Sequence, residues 1–367
     1  MWFAEPMRSE SADVARFRIA AQRLVGSNLP DAASVITWLG CVQAQDLPGA
    51  LTSVALRTSV ALRTPDRSLA GVRDALDSGQ IVRSWPMRGT LHLAPARDIG
   101  WMTGLTHPRT FAQSRRRREE LGIDETMIER AWELFTTAHA EQGPLPRAAV
   151  LEAWKSLGVD EVKGRGYHLF LLLCQMGRMA QGPHDGTETR FVDLDAWAGT
   201  RDEPSREEAL ARWAEMYFRS HGPATEKDFA RWTGLTMADV RAGIADASGL
   251  ERLDIDGTAH WMDPATPDRA AQHREQIDAI HLLPGFDELI LGYADRTATL
   301  AKRHEQLVVP GNNGMFKPTI ISGARAVGTW SVKKATKTLP ARLLPTGFTS
   351  RLPAAAKLER AFAAMPD

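Results

Sequence analysis

Cysteine is nearly absent from this chain: among 367 residues only Cys41 and Cys174 occur. Two cysteines so far apart make neither a disulfide framework nor a zinc-binding spacing, and such sparing use fits a reducing cytosol. Long apolar runs are missing too. The densest, residues 169–173, falls far short of the roughly 20 residues a membrane span requires. Residues 1–10 mix acidic and basic side chains and carry no apolar signal core. A soluble, cytoplasmic protein with no membrane partner is expected. Net charge is also lacking, since 45 basic side chains balance 45 acidic ones. That balance excludes a histone-like binder acting through bulk charge. With 43% hydrophobic and 25% charged residues the chain is globular, and its length predicts two or three domains.

Common catalytic signatures are absent as well. There is no glycine-rich phosphate loop, no dinucleotide fingerprint and no serine nucleophile elbow. The ten histidines, among them His139, His168 and His184, lack metal-ligand spacing. Asp193 and Asp195 form a lone Asp-x-Asp, better read as structural than as a cation site. Neither a metal nor a cofactor is expected.

What the chain does have is segregated charge. Residues 306–358 contain no acidic side chain but eight basic ones: Lys317, Arg325, Lys333, Lys334, Lys337, Arg342, Arg351 and Lys357. Residues 81–120 hold eight arginines against Asp98, Glu119 and Glu120. Acidic residues gather at 202–215 and 239–256. The pattern predicts a basic face for a polyanion; a chance asymmetry is the competing reading.

Hydrophobic periodicity predicts an α+β fold made of a repeated order, three helices and then a two-stranded ribbon. In the first unit Val14, Phe17, Ala21 and Leu24 share a helix face. A second helix follows Asp31, a third spans 68–76, and 81–95 reads as a strand pair turning at Met87-Arg88-Gly89. The order recurs with helices at 127–140, 146–157 and 167–176 and a hairpin at 178–194 turning through 184–187. It recurs again with helices at 207–220, 225–232 and 237–247 and a ribbon at 250–262 around Asp256-Gly257. This is the order of three tandem winged-helix domains. The last ninety residues change character: glycines punctuate β-rich runs at 307–309, 319–321 and 326–332, and a short helix at 353–364 closes the chain. Boundaries are placed at 1–125, 126–200, 201–275 and 276–367.

One short stretch carries chemistry. Gln43-Ala44-Gln45 precedes Asp46-Leu47-Pro48-Gly49, and two amides two residues apart aim the same way only on an extended backbone. The helix must therefore stop by about Val42. Gln43-Ala44-Gln45 resembles the paired-glutamine motif of the winged-helix DNA glycosylases of the AlkZ/YcaQ family. Further landmarks occur in that family's order: Ser84-Trp85-Pro86-Met87-Arg88-Gly89-Thr90-Leu91-His92-Leu93, Leu282-Leu283-Pro284-Gly285-Phe286-Asp287-Glu288, Val309-Pro310-Gly311-Asn312 and Val327-Gly328-Thr329-Trp330. The resemblance implies a C-shaped arrangement around a DNA channel. It implies excision of N7-alkylated purines, including bulky natural-product adducts and interstrand crosslinks, for repair or self-resistance. The YcaQ branch has Asp where this chain has Gln45, so the sequence looks like the AlkZ-type branch.

An amide cannot donate or accept a proton at neutral pH, so it is a poor general acid or base. An N7-alkylpurine removes that need because it is already a cationic leaving group. Orienting water and stabilising an oxocarbenium-like sugar remain, and fixed dipoles do both. Gln43 and Gln45 are the candidate catalytic residues. Asp46 is read as a cap for the turn, with added negative potential as the alternative. No lysine lies near the motif in sequence, the nearest being Lys155, which points to hydrolysis without strand cleavage.

Candidate contacts to double-stranded DNA are Arg83, Arg88 and His92 in the first ribbon and Lys317, Lys333, Lys334 and Lys337 in the last domain. The run Arg115-Arg116-Arg117-Arg118 crosses phosphates or is a solvated helix face. Residues 296–317 are expected to form a hairpin that enters a groove. A monomer associated with the nucleoid is expected. The competing functions are a winged-helix transcriptional regulator without catalysis and a protein that only sequesters a DNA-reactive toxin.

Overall fold

The computed structural model describes residues 11–26, 29–58, 69–184, 188–335 and 340–366. Helices and antiparallel strands are mixed along the chain, and the helix-then-ribbon order occurs three times. Helices Ser11–Ala21, Ala32–Leu39, Leu47–Ala55 and Ala70–Asp77 precede strands Ile81–Met87 and Thr90–Pro95. Helices Glu125–Gln142, Arg147–Ala153 and Arg165–Gln175 precede strands Met179–His184 and Thr189–Asp193. Helices Arg206–His221, Glu226–Thr233 and Met237–Asp246 precede strands Glu251–Ile255 and Thr258–Met262.

Local chemistry explains the punctuation. Two ribbons turn on successive left-handed residues, Arg88 and Gly89 (φ 55° and 66°) and Asp256 and Gly257 (φ 52° and 75°). Such pairs give the primed turns whose twist matches the flanking strands. The turn expected at 184–187 falls largely on 185–187, and Ser68 on the first unit's third helix, both outside the described residues. Ser205 and Thr225 each form a reciprocal capping box, with Glu208 and Asp228. Several helices escaped the sequence reading, two of them long. Leu47–Ala55 starts with Pro48 in its first turn, where a missing N–H does no harm, and Ile99–Gln113 runs through Pro108.

The ribbons of the first two units are one sheet. Its order is Val42–Gln43, Thr90–Pro95, Ile81–Met87, Met179–His184, Thr189–Asp193, with Arg83 opposite Gln181 at the seam. This sheet crosses the boundary expected at 125/126. Beneath it, Cys41, Trp101 and Met102 share a core with Trp213, Tyr217, Phe229 and Trp232. Trp101 and Trp213 meet edge to face at 5.8 Å, a geometry worth about 0.5–1.5 kcal/mol beyond area burial.

The first helix packs elsewhere than expected. Ala15 and Ile19 lie in one cluster with Leu283, Leu289, Val308 and Ile321, so this helix completes the core of the last domain. Arg18, 3% exposed, donates to the Pro223 and Asp295 carbonyls and lies over the Tyr293 ring. The last domain holds a four-stranded antiparallel sheet in the order Arg342–Gly347, Arg325–Lys333, Thr319–Ser322, Ile280–Leu283. Helix Ala355–Ala363 covers it through Leu358. Residues 307–309 are not a strand: Glu305–Val308 is a helical turn, with Val308 and Val309 buried. Residues 296–317 form no hairpin either, because the segment is a string of short helical turns, Lys302–His304, Glu305–Val308 and Pro310–Asn312.

Candidate active site

The paired glutamines owe their conformation to a glycine. Asp31 caps helix Ala32–Leu39 by accepting from the Ser34 N–H at 2.7 Å, and Gly40 ends it at φ 81°. The chain leaves extended, two residues earlier than the motif required. Val42 and Gln43 pair with Leu93 and His92, and the Ala44 N–H continues the ladder to Leu91 O at 2.8 Å. Gln43 and Gln45 are in direct contact, the Gln45 N–H donating to Gln43 Oε1 at 3.2 Å. Their environments differ. Gln43 is 5% exposed, whereas Gln45 presents its amide to solvent with Oε1 at 3.5 Å from the Leu91 N–H.

Asp46 stands at the N-cap position of helix Leu47–Ala55 but makes no side-chain capping bond, contrary to the capping role read from sequence. Its carboxylate is exposed and lies over Gly49, where an imagined Cβ would come within 2.7 Å of Oδ2. Glycine there leaves room for the carboxylate. The result is a solvent-facing negative charge one residue from Gln45.

Underneath lies a buried acidic pair that sequence reasoning registered only as a landmark. Glu288, 0% exposed, accepts from the Gln43 N–H at 3.1 Å and from the Trp232 indole N–H at 3.0 Å. His221 Nε2 stands 3.5 Å away. Burial alone would raise the Glu288 carboxyl, but facing His221, the Gln43 N–H and Trp232 outweigh it and hold the group below its ordinary range. Asp287 next door takes a bidentate contact from Arg57 (2.9 and 3.0 Å) and a hydrogen bond from Ser53 Oγ (2.6 Å). Burial would raise this carboxyl too, and the Arg57 charge more than reverses the effect. Removing one partner of such a buried pair costs about 3–5 kcal/mol because the other charge is stranded. Asp287 thus ties down the helix after the motif, and Glu288 ties down the motif itself.

The first-ribbon residues expected at phosphates serve the motif instead. His92 is fully buried opposite Gln43, which removes it from any DNA surface. Its Nδ1 lies 2.8 Å from the Thr90 carbonyl, which can only accept, so Nδ1 carries the proton and Nε2 accepts from Arg88 Nη2 at 3.2 Å. Burial first, and then the Arg88 charge, push the His92 imidazolium down to about 3. Arg88 itself is largely enclosed and held in the left-handed region. Arg83 spends its guanidinium on the Ala44 carbonyl (3.0 Å) and on Gln181 Oε1 (2.9 Å), locking the motif to the sheet seam.

Lys317, Lys333 and Lys334 are exposed and form no ion pair among the described residues, while Lys337 lies outside them. Arg115, Arg116 and Arg117 pair with Glu119 or Glu120 on their own short helix, and Arg118 stacks on Phe111, which is the solvated-face reading. Asp193 caps the helix Leu194–Ala198, and Asp195 pairs with Arg201. Among the described residues, no three His, Cys, Asp or Glu side chains converge as a metal site, and no helix is long and apolar enough to cross a membrane.

A contacting amide pair at the end of a strand, braced by a buried carboxylate and with an open acidic group beside it, can hold a water and face a positive charge. The family described as DNA glycosylase AlkZ-like matches residues 36–366, and the chain belongs to that family of DNA glycosylases. An interstrand DNA cross-link repair glycosylase from Streptomyces sahachiroi is 26% identical over 356 residues, covering 89% of each chain. The solved structure of Streptomyces sahachiroi DNA glycosylase AlkZ has the same fold, with a TM-score of 0.79 at 24% identity over 98% of this chain and 96% of its own.

Proposed function

We propose that this enzyme hydrolyses the N-glycosidic bond of N7-alkylated purines in duplex DNA, with Gln43 and Gln45 as its catalytic residues. The observation that carries the reading is the Gln43–Gln45 contact where strand Val42–Gln43 ends, with the Asp46 carboxylate exposed beside it. Alkylation at N7 leaves the base cationic, so bond cleavage needs no general acid. Gln45 holds the attacking water by its exposed amide. Gln43 sets the Gln45 backbone through Oε1, and both carbonyl dipoles meet the positive charge growing on the sugar. Asp46 adds negative potential to the same point. Among the described residues no lysine hydrogen-bonds to the motif, in keeping with hydrolysis that leaves the sugar–phosphate strand intact.

The relative named for interstrand cross-link repair supports bulky adducts and crosslinks as lesions of this chain too. The three helix-and-ribbon units act as winged helices, and with the last domain they line a DNA channel in a C-shaped monomer associated with the nucleoid. Lys317, Lys333, Lys334 and Lys337 contact phosphates. The test is release of free 7-methylguanine from methylated duplex. Gln45→Ala lowers the single-turnover rate about a hundredfold or more, the scale of losing one preorganised dipole. An undiminished rate removes the pair from the mechanism. Wild-type protein that binds methylated DNA and releases nothing is a binder, not this enzyme.

A further inference from the structure

Singly exposed apolar side chains are ordinary on protein surfaces. The segment after Pro310 differs in how it is held and in what lies beside it. Its base is braced: the Lys317 N–H donates to Val308 O at 3.0 Å, the Gly311 N–H to Gln306 Oε1 at 2.9 Å and the Met315 N–H to Asn313 Oδ1 at 3.0 Å. Phe316 is the anchor, 8% exposed, 6.0 Å from the Phe286 ring and 5.1 Å under the Arg296 guanidinium. Met315 next to it is 56% exposed, the most exposed large hydrophobic side chain among the described residues, followed by Leu307 at 46%.

The loop sits against the candidate active site. An imagined Cβ on Gly285 would meet the Phe316 carbonyl at 2.7 Å, and one on Gly49 would meet Gly285 O at 3.3 Å and Asp46 Oδ2 at 2.7 Å. Two close backbone approaches therefore separate the loop from Asp46. Exposed Lys317 follows at once, and no acidic residue occurs from 306 to 358. A cationic surface carrying an outward apolar tip matches a duplex, whose phosphates attract the lysine and whose base stack accepts the tip.

We propose that Met315 is a wedge that enters the base stack beside the lesion and opens that step toward Gln45, an inference that rests on the glycosylase reading above. Apolar wedges unstack and kink duplex DNA, and an unbranched thioether adapts to an irregular gap between bases. The wedge is needed only where neighbouring bases and a partner strand hold the lesion in place.

The test compares 7-methylguanine release from duplex and from single-stranded oligonucleotides of one sequence. Met315→Ala lowers the duplex rate at least tenfold and leaves the single-strand rate unchanged, and Met315→Phe, a larger apolar tip, restores duplex release. A 2-aminopurine placed next to the lesion brightens several-fold when wild-type protein binds, and stays dim with Met315→Ala. Equal duplex rates for wild type and Met315→Ala, or an equal loss on both substrates, overturn the wedge while the glycosylase reading stands. A wild-type protein that releases no base from either substrate overturns both.

Discussion

His92 carries a consequence of being neutral, buried and bonded to Arg88. An unfolded histidine titrates near 6.5, while the folded His92 is pushed down to about 3. Between those values the unfolded chain binds the extra proton, so acid favours unfolding. The stabilisation is complete above about pH 6.5 and is lost as pH falls toward 3, by at most about 1.4 kcal/mol per pH unit. His92→Gln keeps a donor for Thr90 and an acceptor for Arg88 but does not titrate. Melting curves from pH 7.5 to 5 will therefore fall less steeply for the variant, and identical slopes would show that His92 does not set the acid limit. At this scale the sequence displayed the glutamine pair but not its support. Side-chain identity marked Gln43 and Gln45, whereas burial turned His92 from a surface candidate into a brace. Glu288 stood in plain sight within a landmark, and only the fold could bring it 3.1 Å from the Gln43 N–H.

Among the elements, the stop after helix Ala32–Leu39 decides where the glutamines point. Gly40 has φ 81°, and an added Cβ would find the Trp232 ring at 3.5 Å, an ordinary contact. Gly40→Ala therefore suffers chiefly from backbone strain, about 1–3 kcal/mol for a non-glycine residue held at φ 81° and ψ −58°. Its urea midpoint will drop accordingly, and a midpoint equal to wild type would mean that the turn relaxes without cost. Signals of this local kind were legible: Asp31 as a cap, Arg88-Gly89 and Asp256-Gly257 as turns, and the long amphipathic helices. Local signals failed where packing overrode propensity. The β-branched pair Val308 and Val309 reads as strand, yet burial beside the first helix holds Val308 in a helical turn and Val309 just beyond it. Pro48-Gly49 reads as loop, yet proline is well placed in the first turn of a helix.

For the molecule as a whole, neutrality conceals a usable field. Exposed Lys317, Lys333 and Lys334 lie in an acid-free stretch, and if each meets a phosphate as proposed, removing one flattens the plot of log affinity against log salt by about 0.9. Replacing Lys333 and Lys334 together by alanine will weaken binding to undamaged and alkylated duplex alike and reduce that slope by about twice this value. An unchanged slope would place the DNA elsewhere. Periodicity exposed the threefold helix-and-ribbon order, but it could not reveal that two ribbons share a sheet or that Ser11–Ala21 completes the last domain, since both are pairings between distant segments. The Gln43 N–H finds its carboxylate 245 positions later, and Arg57 finds Asp287 230 positions later. At ribosomal speeds of about 5–20 residues per second, the motif waits on the order of ten seconds or more for its anchor to be synthesised. A nascent polypeptide that has not yet reached residue 287 therefore carries both glutamines without the carboxylates that brace them, and the motif gains its folded setting only after those residues have left the ribosome.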